Sequence, residues 1–452
     1  MNSHSPIFSE KEQYISWLAN QESPRDEWRI GTEHEKFLFH KGNFRPVAYE
    51  GENGIGELLR RLQEKHGWAP ITEKGLIIGL KDDEGGSITL EPGGQFELSG
   101  APLENLHQTC AETGRHLTIM KEIIAELNLC MLGLGFQPKW GRDDISFMPK
   151  GRYNIMSQYM PKVGNLGLDM MKRSCTVQVN LDYQDERDMR RKFRTSLALQ
   201  PIATALFANS PFKDGKPSGF LSTRAQAWTD TDPDRCGVPD IVFDPAFGYE
   251  QWIDYILDVP MYFLHRGDDY IDVAGHSFRD FMTGNLPGFA GELPTLGDFE
   301  DHITTAFPEV RLKGYLEMRG ADGGAWENIC ALPALWVGLL YDDEALAQAE
   351  HLAKDLTAND VANARLSVAK DGLRGQIGGR DVYEIASSMV AIAKKGLEAR
   401  AIFSVNGNDE QHYLEPLEAI LANKQTQADA MLNAFHNEWG GDIDNVFRHH
   451  HY

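Results

Sequence analysis

Cysteine is scarce and unorganised in this chain: Cys110, Cys130, Cys175, Cys236 and Cys330 are odd in number and form no CxxC pair. That argues against a disulfide framework and for a reducing cytosol. Long apolar runs are missing too. The best candidate is interrupted by Pro333 and Gly338 and falls short of the roughly 20 residues that a bilayer-spanning helix needs. Basic residues are the minority, 44 against 67 acidic ones, for a net charge of −23, so neither nucleic acid nor an anionic membrane is expected as a main partner. The opening stretch MNSHSPIFSEKEQY has neither a basic segment followed by an apolar one nor an Arg/Ser-rich pattern, and no targeting segment is expected. Internal repeats, low-complexity tracts and the GxxxxGK[ST] and GxGxxG phosphate loops are absent as well.

What is present suffices for a core. The 452 residues are 42% hydrophobic and 25% charged, enough for one large elaborated domain or two to three ordinary ones. The expected division is a catalytic sheet-and-helix core over residues 1–343 and a helical region over 344–452 packed on it. In the latter, Ala/Leu/Glu/Lys-rich helical patterns cover 344–356, 382–400, 412–423 and 426–438 without a site signature, and His449, His450 and His451 are expected in a frayed tail. Before that boundary, Ser9 to Glu12 has capping-box spacing for a surface helix over 9–20, Glu57–Lys65 is a short helix, and the apolar spacing from Leu106 to Leu127 predicts a long core-facing helix. A further helix is expected from Glu186 through Phe207. The stretch 148–167, rich in Gly, Pro and basic residues, is expected to be a loop reaching over a site, with Arg152, Tyr153 and Lys162 as candidate ligand contacts.

Strand alternation organises the rest. Residues 74–99 predict three short strands parted by Gly-rich turns, with Ile88, Leu90, Phe96 and Leu98 on one face and Thr89, Glu91, Gln95 and Glu97 on the other. Trp28–Phe39 is a strand with Glu33 and Glu35 sharing a face while His34 points away as a structural histidine. In Ser174–Tyr183, Thr176, Gln178 and Asn180 alternate with Cys175, Val177, Val179 and Leu181. In the stretch RLKGYLEMRGAD, Glu317 and Arg319 share a face opposite Leu316 and Met318. A solvated sheet face ordinarily mixes lysines among its acids, since like charges opposite each other destabilise a pairing. If these segments lie in one antiparallel sheet, the clustered glutamates need divalent cations, and Mg2+ with shared substrate phosphates suits the oxygen ligands. With the arginines, the set is equipped for phosphoryl transfer. Arg224 and Trp228 stand one helical turn apart and form a candidate carboxylate grip beside an aromatic wall.

The blocks IGTEHEKF, GGQFELSGAPLENLHQTCAE, MPKGRYNIM, YMPKVGNLGLDMM, CTVQVNLDY and FPEVRLKGYLEMRGADGG resemble glutamate–cysteine ligase of the plant and proteobacterial type, in near-continuous blocks from Ile30 to Asp343 and weakly beyond. The resemblance implies an α+β, glutamine-synthetase-like fold, a curved antiparallel sheet with helices packed around it. It also implies that ATP phosphorylates the γ-carboxylate of L-glutamate and that the L-cysteine amine displaces phosphate, the first step of glutathione synthesis. Glu33, Glu35, Glu97 and Glu317 match the Mg2+ ligands, with Glu91 a weaker match. Gln178, and Asn180 with it, match positions supporting metal or nucleotide, Arg319 the arginine facing the transferred phosphoryl group, and Arg152, Tyr153, Arg224 and Trp228 the glutamate site. Cys110 and Cys330 match one regulatory cysteine pair of the plant enzymes, whereas Val273 and Gly288 stand at the other, whose disulfide therefore cannot form. The plant transit peptide has no counterpart, which suits a bacterial cytoplasmic protein, monomer or homodimer. Competing readings are a carboxylate–amine ligase using another amine and a non-enzymatic acidic cation-binding protein.

Overall fold

The computed structural model describes residues 6–452, so part of the stretch read as free of a targeting signal, residues 1–5, lies outside the described residues. Its centre is a nine-stranded sheet. The strands are β1 (Ile30–His40), β2 (Ala69–Glu73), β3 (Leu76–Lys81), β4 (Ser87–Leu90), β5 (Phe96–Ser99), β6 (Leu129–Leu132), β7 (Thr176–Leu181), β8 (Val310–Leu312) and β9 (Leu316–Asp322). Their order is β8-β9-β7-β1-β5-β4-β3-β2, with β6 on the far end of β1, and the pairings of the sheet are antiparallel. The mixed helix-and-antiparallel-sheet class expected from the sequence is the one observed. The turns within residues 74–99 rest on Gly85 and Gly94, at φ +100° and +81°, where a side chain would be strained.

Helices cover the apolar faces. They include α1 (Lys11–Ala19), α2 (Ile55–His66), α3 (Leu106–Glu126), α4 (Gly151–Val163), α5 (Gly167–Arg173), α6 (Glu186–Leu206), α7 (Thr223–Trp228) and α8 (Trp326–Leu340), then α9 (Asp343–Ala353), α10 (Ala358–Asp371), α11 (Val382–Arg400), α12 (Glu415–Asn423), α13 (Gln427–Asn437) and α14 (Asp444–His449). Val177, Val179 and Leu181 of β7 and Leu316 and Met318 of β9 are buried in one core with residues of α6, α8 and α11. Ile88, Leu90 and Phe96 share a second core with α2, α3 and α4. Burial of these alternate residues drives the sheet to close on its helices and leaves the other set facing a common space. No described helix is long and apolar enough to cross a membrane. Gly338, which breaks the apolar run, lies where α8 crosses α11: a Cβ there would sit 2.3 Å from the Ala393 carbonyl oxygen.

Three expectations need correction. Residues 148–167 are not a loop: α4 occupies most of them, because Tyr153, Met156 and Met160 recur at helical spacing and are buried, which outweighs Gly151 at the start and Pro161 near the end. Helix α10 has no counterpart among the expected elements, although Thr357 and Asp360 form a capping box at its start. The tail is docked rather than frayed. His451 bridges Leu132, the Tyr452 amide donates to the Met131 carbonyl at 3.1 Å, and its hydroxyl donates to the Gly324 carbonyl. Cys110 on α3 and Cys330 on α8 are buried free thiols, and burial together with a hydrogen bond to Cys110 pushes the Cys330 thiol up.

Buried His302 donates from Nε2 to the Ile256 carbonyl at 2.9 Å and stacks on Phe278. Burial pushes its pKa down from 6.5 to about 4, so the fold keeps it neutral. Between those values the unfolded chain takes up a proton that the fold refuses, and stability therefore falls as pH drops from 6.5 to 4. His302→Gln is expected to flatten this slope when urea midpoints at pH 7 and pH 5 are compared; an unchanged slope would show that His302 does not carry it.

Candidate active site

The register places the acid-bearing strands side by side. Glu35 on β1 lies opposite Glu97 on β5, Glu33 opposite Gln178 on β7, and Glu317 on β9 opposite Asn180 on β7 and Arg311 on β8. A cavity of about 210 Å³ opens over this face, lined by Glu33, Glu35, Glu91, Glu97, Arg152, Tyr153, Gln178, Arg224, Trp228 and Arg319. Ten of the thirteen candidate site residues singled out from the sequence thus meet in one space, across a chain distance from Glu33 to Arg319. Asn180 and Glu317 stand beside it rather than on its wall. Lys162 is exposed at the end of α4 and does not reach it.

Two acid groups within the site differ in their compensation. Glu317 is fully buried and accepts from Arg311 Nε at 2.9 Å and Arg319 Nη1 at 2.6 Å on Oε2, and from Lys313 Nζ at 2.8 Å and Arg311 Nη2 at 3.1 Å on Oε1. Burial alone would push its pKa up; Arg311, Lys313 and Arg319 outweigh that and hold it well below the ordinary carboxylate range. Both oxygens are thus engaged, and Glu317 orients Arg311 and Arg319. Glu35 and Glu97 have no such partners. Glu35 accepts the Thr176 amide at 3.0 Å and Glu97 accepts the Thr89 hydroxyl. Burial and then mutual repulsion, joined by Glu91, push Glu35 well up, while burial and the charges of Glu91 and Glu33 push Glu97 up to about 8.

Around them the amides have oxygens to offer. Asn180 Nδ2 and Gln178 Nε2 donate to the two Glu33 oxygens at 2.7 and 3.3 Å, which leaves Gln178 Oε1 and Asn180 Oδ1 buried without a partner. No three Asp, Glu, His or Cys side chains among the described residues converge as a preformed metal cage. The donor set still fits a hard divalent cation of the Mg2+ kind, which binds through one or two carboxylates and takes its remaining ligands from water and phosphate. Unpaired carboxylates opposite each other and orphaned amide oxygens are the features that such an ion would satisfy.

The cationic wall comes from helices and from a bulge. The β7–β9 register shifts between Met318 and Ala321, and Arg319 projects from this bulge into the cavity, its carbonyl accepting from Arg224 Nη2 at 2.7 Å. Arg152, in the first turn of α4, lies over the Tyr153 ring, whose hydroxyl donates to the Leu90 carbonyl at 2.6 Å. The Arg224 and Arg319 guanidinium groups lie 5.9 and 5.7 Å from the centre of the Trp228 ring. Residues missed in the sequence also serve the site. Arg311 lines the cavity, and Lys150 donates to the Leu90 carbonyl at 2.7 Å, its pKa pushed down to about 8 by burial and the charge of Arg152. The basic alternation of Arg311 and Lys313 just before Glu317 was the signal available for the first; Lys150 offered none.

A family model described as glutamate–cysteine ligase family 2 matches residues 29–449. The chain belongs to that family. The match runs through the C-terminal helices, correcting the expectation of only a weak resemblance past Asp343. The chain is 53% identical to glutamate–cysteine ligase B, chloroplastic, of Oryza sativa subsp. japonica over 438 residues, 97% of this chain and 86% of the relative. It is also 53% identical to the chloroplastic glutamate–cysteine ligase of Arabidopsis thaliana, over 97% of this chain and 82% of the relative. Among solved structures, a glutamate–cysteine ligase from Francisella tularensis in complex with AMP shares the fold, with a TM-score of 0.53, 12% identity, and coverage of 93% of this chain and 87% of that one. The close relatives are named chloroplastic, which contradicts the cytoplasmic placement expected from the sequence.

Glu317→Gln leaves Arg311, Lys313 and Arg319 buried around a neutral amide. It is expected to cost about 3 kcal/mol of stability, the usual scale for breaking a buried ion pair. A denaturation midpoint equal to that of the unaltered protein would show that the ion cluster is not structural.

Proposed function

We propose that this chain ligates the γ-carboxylate of L-glutamate to the amine of L-cysteine with consumption of ATP, giving γ-glutamylcysteine, ADP and phosphate, the first step of glutathione synthesis. The family carries the reaction, and the observation that carries the site is the meeting of Glu33, Glu35, Glu91 and Glu97 with Arg152, Arg224 and Arg319 around one cavity. In the reaction, a γ-carboxylate oxygen of glutamate attacks the terminal phosphorus of ATP and ADP leaves. The cysteine nitrogen then attacks the acyl carbon of the γ-glutamyl phosphate, and phosphate departs as the nitrogen loses a proton.

The residues divide this work by charge. Arg152 and Arg224 grip carboxylate oxygens of glutamate, with Tyr153 and Trp228 as walls that exclude water. Arg319, fixed in direction by Glu317, faces the transferred phosphoryl group and stabilises its oxygens. Glu33, Glu35 and Glu97, flanked by Glu91, would hold Mg2+, and the free oxygens of Gln178 and Asn180 support the ion or the nucleotide. When bound, Mg2+ neutralises phosphate charge and orients the leaving ADP.

Phosphate release with glutamate, ATP and Mg2+ is expected to rise sharply with cysteine and little with other amines; indifference to the amine would sink the assignment of cysteine. Glu97→Gln and Arg319→Ala are each expected to lower kcat about 100-fold or more, and full ligase activity in either would remove that residue from the mechanism. The metal reading has a test apart from activity. In thermal denaturation without substrates, Mg2+ is expected to raise the Tm of the unaltered protein at pH 8 and to do so less for Glu97→Gln; equal shifts would place the ion elsewhere.

A further inference from the structure

The C-terminal helices, in which the sequence shows no site signature, send one side chain to a small pocket that shares Arg224, Trp228 and Arg319 with the main cavity. Arg365 stands on α10. Its Nε donates to Glu309 Oε1 at 2.6 Å and its Nη2 donates to the Trp228 carbonyl at 3.0 Å. The Arg365 and Glu309 side chains are only 16% and 15% exposed, so water does little to loosen this pair. Trp228 ends α7, where a carbonyl has no helical partner and a cation suits the dipole. Glu309 is tied to the other wall: its carbonyl accepts from the Arg319 amide at 3.3 Å and its own amide donates to the Gly237 carbonyl at 2.8 Å. Gly237 leaves room for the guanidinium, since a Cβ there would lie 3.2 Å from Arg365 Nη1. One guanidinium thereby ties the residue carrying the indole to the segment carrying Arg319. Arg224, Trp228, Glu309, Arg319 and Arg365 line a single small pocket behind the main cavity.

We propose that Arg365 is a positioning residue for the ligation: it clamps Trp228 to Glu309 and so sets the spacing of Arg224 and Arg319 around glutamate and the transferred phosphoryl group. This rests on the function given above. Arg365 itself touches no reacting atom. Its effect is geometric, and displacement of a pre-organised group by about 1 Å is enough to cost on the order of 100-fold in rate.

Steady-state kinetics of the full chain, with glutamate binding measured by calorimetry, test this for Arg365→Met and Arg365→Lys. For Arg365→Met the KM for glutamate is expected to rise about tenfold or more and kcat to fall, while the KM for cysteine stays within about twofold. Arg365→Lys is expected to recover part of the loss, because its ammonium lacks the planar fork that serves Glu309 and the carbonyl together. Should Arg365→Met fail to fold, Glu309→Gln, which keeps a neutral acceptor, is expected to show the same rise in glutamate KM to a smaller degree. Unchanged glutamate KM and kcat in Arg365→Met, or a loss of rate that follows only the loss of folded protein, would overturn the proposal. An unaltered protein inactive with glutamate, cysteine and ATP would overturn the function instead; calorimetric loss of glutamate binding in Arg365→Met would then still support the clamp, and unchanged binding would remove it.

Discussion

Opposition of Glu35 and Glu97 across β1 and β5 is the interaction on which the rest of the site depends. Two buried carboxylates at directly paired positions repel, and a sheet tolerates this only when something else fixes the register. Here the other face fixes it. Ile88, Leu90 and Phe96 on one side of the centre and Val177, Val179 and Leu181 on the other are buried under helices, and a one-residue slip would turn those side chains into the cavity. Hydrophobic burial therefore holds the acids together against their own repulsion.

Compensation of charge is uneven across the site. At one edge Glu317 is surrounded by Arg311, Lys313 and Arg319, which leaves that wall with cationic charge in excess even after the ion pairs form. At the centre Glu35 and Glu97 meet no side-chain cation directly. Because both walls are buried, their charges act through a low local dielectric and need little rearrangement as charge moves.

Much of this was legible in the sequence because strand alternation is a local property. Glu33 with Glu35, the neighbours of Glu97, and Glu317 with Arg319 could each be assigned to a face from a few residues, and the adjacency that alternation cannot supply is what the register adds. Where local signals conflicted, the reading failed. In α4 the glycine and prolines suggested a loop, yet the buried spacing of Tyr153, Met156 and Met160 decided for helix. The ion pairs of Glu317 were hidden for a different reason: Arg311, six residues earlier, meets it only across a hairpin.

Arg365 marks the limit of such reading. Its partners are a main-chain carbonyl and a glutamate 56 residues away, and neither leaves a pattern around position 365. An arginine on an amphipathic helix looks the same whether it faces water or an active site; only the packing of α10 against α6 and α7 separates the two. The family match extends to residue 449 although the acids and arginines that line the main cavity precede Asp343. The C-terminal helices contribute no side chain to the main cavity, but α10 restrains the two elements from which Trp228 and Arg319 reach it. A sheet that gathers repelling charges has its positions set by the layer behind it, and here that layer includes the end of the chain.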